Sequence, residues 1–297
     1  MFLLTRGLWL IAVEILLISF VLTQGYQLTL LSIFWAIGCS MVLLAALVWL
    51  PRWLQIVLSL AMIVGHNALP TIANVSPGNI LFAILHNPPF FINKPPILVA
   101  YTIVPWVGVM LLGFVLGSWF SYPPQQRDRL LLRTGILALV FFSVFRFLNI
   151  YGDPSPWSIQ ERGGVYTLLS FFQVSKYPPS LLFLSVTLGI ACILLANVEK
   201  ISARLKKILI TYGRVPFFFF VVHLAIISFT SYLWTWFSFG RGVNLSFEPA
   251  KDLPTEYHPS LLRTYFVWFL VIVALYIPCL WYARYKAKNK AWWLTYL

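Results

Sequence analysis

Eight apolar runs, each near the length of a bilayer crossing, constrain this chain more than any motif in it. A helix needs about 20 apolar residues to cross the hydrocarbon. Runs of that kind fall at 7–24, 29–50, 53–69, 98–120, 131–150, 179–197, 208–237 and 262–283. Backbone groups in lipid must be paired internally, so the runs predict helices. Strand-type alternation is absent, which disfavours an outer-membrane barrel. The composition agrees, with 60% hydrophobic and 10% charged residues in 297. A soluble domain holds about 45–50% and about 25%. No polar stretch is long enough for a soluble catalytic domain, and the same arithmetic excludes disorder. The fold class expected is all-α: a polytopic α-helical integral membrane protein with about eight transmembrane helices, read as one domain over 1–297. The first run holds Glu14 in its middle, with no small-residue cleavage site after it, so it reads as a span and not a cleaved signal.

The charge distribution gives an orientation. The net charge is +13, from 21 Lys and Arg against 8 Asp and Glu. With the N-terminus inside, 13 of the 21 basic residues fall on inner segments or the inner ends of spans, 6 on outer loops or the outer ends of spans, and 2, Arg146 and Arg214, deeper within spans. Basic residues concentrate on cytoplasmic loops and face anionic lipid there. That explains the charge without a nucleic-acid partner and predicts that both termini are inside. Three outer loops are long, at about 70–97, 151–178 and 238–261, so the outer face can carry an elaborated surface. Cys39, Cys192 and Cys279 sit in apolar runs, and no metal-ligand spacing occurs.

Ionisable residues inside spans are costly and point to function by default. At about 1.5 Å of rise per residue, Arg214 lies about 9 Å and Glu14 about 10–12 Å from the inner ends of their spans. His66 lies about 20 Å in, with Arg146 and His223 about 23 Å in. Glu14 and Arg214 thus share an inner tier, either as an ion pair between helices or with Arg214 facing a phosphate-bearing ligand, which its planar fork suits. Pro216, two residues on, breaks or kinks the helix. His66 and His223 in the outer tier read either as helix-bonding histidines or as general bases. Asn67 adds an amide beside His66.

The outer segment Tyr151-Gly152-Asp153-Pro154-Ser155-Pro156-Trp157 reads as a turn. It sets Asp153 just above Arg146. Lys176-Tyr177-Pro178-Pro179-Ser180 enters the sixth run. Arg146, Asp153, Trp157, Lys176 and Tyr177 then form an aromatic, carboxylate and amine surface that suits a sugar, or else an interfacial aromatic belt with basic anchors.

A family resemblance rests on an ordered set of segments. They are Leu4-Thr5-Arg6-Gly7-Leu8 with Glu14, Ile33-Phe34-Trp35-Ala36-Ile37-Gly38, Gly65-His66-Asn67, and Pro105-Trp106-Val107-Gly108-Val109-Met110. The Tyr151–Trp157 and Lys176–Leu182 segments come next, then Gly213-Arg214-Val215-Pro216 with His223. In this combination, over about 4–225, the chain resembles the bacterial branch of the heparan-alpha-glucosaminide N-acetyltransferase catalytic-domain family. The resemblance implies transfer of an acetyl group from cytoplasmic acetyl-CoA to an amino sugar or other glycan, free or lipid-linked, beyond the membrane. It implies a bacterial inner-membrane location and acetyl-CoA as co-substrate, with no metal. On this reading Glu14, Arg127, Lys206 and Arg214 hold the donor. Asn67, Arg146, Asp153, Trp157, Lys176 and Tyr177 hold the acceptor. His66 and His223 are the candidate catalytic bases on depth and chemistry alone, because His66 matches a different motif from the family's histidine. Family members usually start with about two further helices that bear an Asp-x-x-Arg-Gly start and the histidine presumed catalytic. The first residues here match the family's third helix, so the chain is expected to be either part of a longer protein or a short paralogue. Expected partners are the bilayer and the glycan, and the sequence allows a homo-oligomer. The competing expectations are a glycan or lipid transporter or flippase, and an inert membrane paralogue.

Overall fold

The computed structural model describes residues 1–70, 79–86, 90–245, 248 and 252–296. It is predominantly helical, as the apolar runs require. The chain packs as two compact units: Met1–Glu14 with Leu30–Lys200, and Ile15–Thr29 with Ile201–Leu297.

The first helix, α1 (Phe2–Thr23), carries a π-helical turn at Glu14–Ile18. In the first unit there follow α2 (Ile33–Leu47), α3 (Arg52–Gly65) and the short α4 (Ile80–Leu85). Next come α5 (Val104–Leu116), α6 (Pro124–Leu148), α7 (Gly164–Phe172) and α8 (Leu181–Asn197). Helices pair α1 with α2, α3 with α5 and α6 with α8. Two of these crossings are set by facing glycines. A Cβ on Gly38 would lie 2.6 Å from the Gly7 carbonyl oxygen, and one on Gly135 would lie 2.7 Å from that of Gly189. Where lipid surrounds the helices, small residues let backbones approach and dispersion do the holding. A three-stranded sheet, ordered β1 (Thr29–Leu31), β3 (Pro96–Val99), β2 (Phe90–Asn93), lies in the segments flanking these helices. It is too short to register as alternation in the sequence.

The second unit holds α9 (Ala203–Arg214), α10 (Pro216–Phe239) and α11 (Leu261–Lys288). Its core gathers Val215, Val271, Leu275, Cys279 and Tyr282. Ser228 and Asn244 close the end of α1. Ser228 Oγ donates to the Val21 carbonyl at 3.0 Å, and Asn244 Nδ2 donates to that of Leu22 at 2.9 Å.

Among the described residues, six helices are long and apolar enough to span: α1, α5 with its 3-10 extension, α6, α8 with its extension, α10 and α11. The expected count of eight is corrected in two places. The runs at 29–50 and 53–69 give helices of 15 and 14 residues, because the turn at Val48–Pro51 and the 3-10 turn at His66–Ala68 cut them short. At about 1.5 Å per residue each is about 21–22 Å long, against about 30 Å of hydrocarbon. The run at 208–237 is divided at Val215, whose φ of −136° and ψ of 47° leave the helix, and the span begins at Pro216. Proline lacks an N–H and suits the first helical position. Arg214 is therefore the exposed last residue of α9 and does not lie inside a span.

Gly38→Ala is expected to destabilise the protein by about 1–3 kcal/mol through overpacking. Gly113→Ala, where nothing lies within 4 Å of the added carbon, is expected to leave the melting temperature in detergent unchanged. Equal melting temperatures for the two variants would contradict the glycine-set crossing.

Candidate functional site

The two fully buried charged residues singled out in the sequence, Glu14 and Arg146, are committed to the ends of helices. Glu14 is fully buried in the first unit. Its carboxylate accepts from Ser32 Oγ at 2.6 Å, Ser32 N–H at 3.2 Å and Phe34 N–H at 2.8 Å. The N–H groups are among the unpaired donors that every helix N-terminus leaves, here that of α2. These three bonds all go to its own unit's backbone and to the Ser32 hydroxyl.

Arg146 is 2% exposed. Its Nε donates to the Phe171 carbonyl at 2.8 Å, and Nη2 donates to those of Ser170 at 2.9 Å and Gln173 at 2.7 Å. Nη1 donates to the Ser155 carbonyl at 2.6 Å and lies 3.7 Å from Asp153 Oδ1. One guanidinium thus satisfies the open C-terminus of α7 and pins the loop before it. Asp153 Oδ2 accepts from Ser175 N–H at 2.8 Å and Ser180 Oγ at 2.6 Å, and Oδ1 from Ser155 N–H at 2.9 Å. Arg146 and Asp153 do meet, but four of five guanidinium N–H groups are bound to carbonyls and the remaining one faces the carboxylate. A small cavity of about 190 Å³ touches both. Asn67 Oδ1 accepts from Leu181 N–H at 2.9 Å, capping α8. Trp157 exchanges backbone bonds with the Asn149 side chain, at 2.9 and 3.1 Å. The expected sugar surface is thus reduced on its inner side to a self-satisfied frame. Lys176 and Tyr177 are exposed, with the ammonium 5.2 Å from the Tyr177 ring centre and the Tyr177 hydroxyl 3.4 Å from that of Tyr101.

His66 is the exception. It sits in the 3-10 turn that ends α3, 1% exposed. Among the described residues neither ring nitrogen has a hydrogen-bond partner. Its ring meets that of His86 edge-on, with centroids 5.3 Å apart. His86 is also buried, and its Nδ1 is unpartnered in the same sense. Thr102 Oγ1, Trp106 Nε1 and Trp35 Nε1 complete a set of unspent polar atoms in this unit. Buried polar groups are normally bonded, and an exception needs an explanation such as a ligand, a water or a catalytic role. Burial pushes the His86 imidazole below its ordinary range. His86 escaped the sequence reading because it lies in a long loop, where no period relates it to His66.

The second unit holds His223 and the basic residues of α9. His223 Nδ1 lies 3.0 Å from the Phe219 carbonyl, which can only accept, so Nδ1 carries the proton and Nε2 is left as the ring's acceptor in the neutral form. Lys206 and Arg214 share a cleft of about 470 Å³ with Lys207 and Arg284. It is made by the stripe 203, 206, 207, 210, 211 and 214 of α9 facing 280, 283, 284 and 287 of α11. That spacing is one helical face on each side, and none of the lining residues is acidic. Arg127 lies elsewhere, in the first unit, with Nε bonded to Asp128 Oδ1 at 2.8 Å. Among the described residues no cluster of three or more potential metal ligands occurs.

The fold and these sites define an integral membrane protein whose buried polar chemistry lies at helix ends. Residues 3–152 match the family described as heparan-alpha-glucosaminide N-acetyltransferase, catalytic, and the chain belongs to that family of membrane acetyltransferases. The match covers Glu14, His66, Asn67, Arg127 and Arg146, whereas Asp153, Trp157, Lys176, Tyr177, Lys206, Arg214 and His223 lie beyond it. Neither curated proteins nor solved structures gave a match.

Arg146→Lys replaces a fork with a point charge and is expected to cost about 1–3 kcal/mol for each buried carbonyl it leaves unpaired. The readout is loss of folded protein on size exclusion in detergent. An unfolded histidine takes up a proton below about pH 6.5 that the buried ring refuses, so stability should fall as pH drops below that value. His86→Gln should flatten the dependence of melting temperature on pH between about 5 and 7.

Proposed function

We propose that the chain is a transmembrane acetyltransferase that passes the acetyl group of cytoplasmic acetyl-CoA to an amino sugar or other glycan on the outer face. The observation that carries this reading is His66, buried and with neither ring nitrogen hydrogen-bonded among the described residues, whereas the buried Glu14 and Arg146 are bonded to backbone groups. Acyl transfer needs a base for the acceptor's proton and donors for the oxygen that gains charge. In this reading His66 takes the proton of the attacking amine or hydroxyl. The acceptor's bond to the carbonyl carbon forms, the carbon–sulfur bond breaks, and the departing thiolate takes up a proton. Thr102 Oγ1 and Trp106 Nε1, in the same unit, are buried donors without a hydrogen-bond partner among the described residues, and the reading assigns them the carbonyl oxygen. His86, against His66, holds that ring in place.

The basic cleft of Lys206, Lys207, Arg214 and Arg284 supports an acyl donor that carries phosphates, since arginine and lysine are the side chains that bind them. The proposal sets both termini in the cytoplasm of a bacterial inner membrane, with a glycan or lipid-linked sugar as the outer partner. The excess of basic residues on inner segments supports that orientation. It does not depend on the short helices α2 and α3, because a pair that spans and a pair that turns back leave the later helices starting from the same side.

His66→Gln is expected to lower acetyl transfer from labelled acetyl-CoA to glucosamine by at least about 100-fold, the lower range for a general base. The melting temperature should stay near wild type, because His66 makes no side-chain hydrogen bond among the described residues. Full activity in His66→Gln would sink the assignment.

A further inference from the structure

A third cavity has no part in this reading. It lies between α10 and α11, holds about 880 Å³ and is walled by Phe219, Ile227, Val267, Trp268 and Val271. That volume is of the size of a ligand pocket, and the walls are lipid-like. One end is marked by Phe219 and Ile272 and the other by Trp234, Tyr257 and Arg263. Phe219 and Trp234 are 15 residues apart on α10, which is about 22 Å of helix. One leaflet of a hydrocarbon core about 30 Å thick is about 15 Å deep, so the slot is long enough for an acyl chain that crosses one leaflet.

The polar end is built around a cation. The Arg263 guanidinium carbon lies 4.7 Å from the Trp234 ring centre and 4.9 Å from that of Tyr257, and Nη2 donates to the His258 carbonyl at 2.8 Å. Among the described residues no carboxylate pairs with it. Arg263 sits in the first turn of α11, capped by Ser260, where the helix dipole also favours an anion. The inner hydroxyls are already used: Thr230 Oγ1 donates to the Ile226 carbonyl at 2.6 Å, and Ser231 Oγ accepts from Leu245 N–H at 2.9 Å. An apolar slot at least one leaflet deep with an aromatic-framed arginine at its mouth has the chemistry of a bilayer lipid with an anionic head.

We propose that the α10–α11 slot is a binding site for an anionic phospholipid, with one acyl chain along α10 and its phosphate on Arg263. The guanidinium fork supplies the bidentate bonds that distinguish phosphate from a neutral head. The frame of Trp234, Tyr257 and the His258 carbonyl positions it before the lipid arrives.

The test is native mass spectrometry of the full chain released from detergent after incubation with phosphatidylglycerol or phosphatidylcholine. Wild type should retain phosphatidylglycerol in preference. Arg263→Gln should reduce that retention roughly tenfold, the loss of one charged hydrogen-bonded contact, while Arg241→Gln, another basic residue of the same unit, should not. Val267→Trp keeps the arginine and fills the slot. It should lower retention of long-chain phosphatidylglycerol and leave the dihexanoyl form unchanged, which keeps the proposal testable if Arg263→Gln fails to fold. Equal retention of both lipids by wild type would overturn the proposal. So would unchanged retention in Arg263→Gln, or a lipid-free dimer that covers this face.

Discussion

A helix that ends in or near hydrocarbon leaves several N–H or C=O groups without partners and without water, and this protein's architecture results from closing those ends. Glu14 closes the start of α2. Gln55 Nε2 lies within bonding distance of the Leu47, Val48 and Leu50 carbonyls at its end. Asn67 closes the start of α8, Arg146 the end of α7, and Asn244 with Ser228 the end of α1. Each of these is polar and buried or partly buried, and each would be expensive if unpaired. The charges are tolerated because their partners are backbone groups that carry the same cost.

This use of charge explains why the frame can hold something reactive. Glycine-set crossings bring α1 to α2 and α6 to α8 backbone to backbone, so helix ends are fixed to within the reach of a side chain. Asp153 and Arg146 then lock the segment that leads into α8, whose first N–H is bound by Asn67, the residue after His66. The position of His66 is thereby fixed by its neighbour's bond while its own ring stays unspent. An active group needs that combination of a rigid surround and an open valence.

The spans were legible because hydropathy over about 20 residues is a strong signal and the physics behind it has few solutions. The family and the adjacency of Arg146 and Asp153 were legible instead in the identity and order of short segments. The break at Val215 was signalled by Pro216, yet a continuous apolar run hid that the helix actually restarts there. The reading of Arg146 as a sugar-facing group missed that its partners are carbonyls, which have no signature in a sequence. The N–H groups that Glu14 accepts from are equally without a signature in a sequence. His86 was invisible because loop residues carry no period, and its meeting with His66 depends on how that loop folds back.

The most direct measurement of the central claim, that buried charges hold the frame and His66 is kept for the reaction, is an electron cryo-microscopy map of the protein in a nanodisc. It should be recorded with and without a non-transferring thioether analogue of acetyl-CoA. The account predicts ordered density, water or ligand, within hydrogen-bond distance of a His66 ring nitrogen. It also predicts that the Arg146 guanidinium remains on the carbonyls of Ser170, Phe171 and Gln173 in both maps. A dry, tightly packed His66 with Arg146 turned from those carbonyls onto ligand would contradict it.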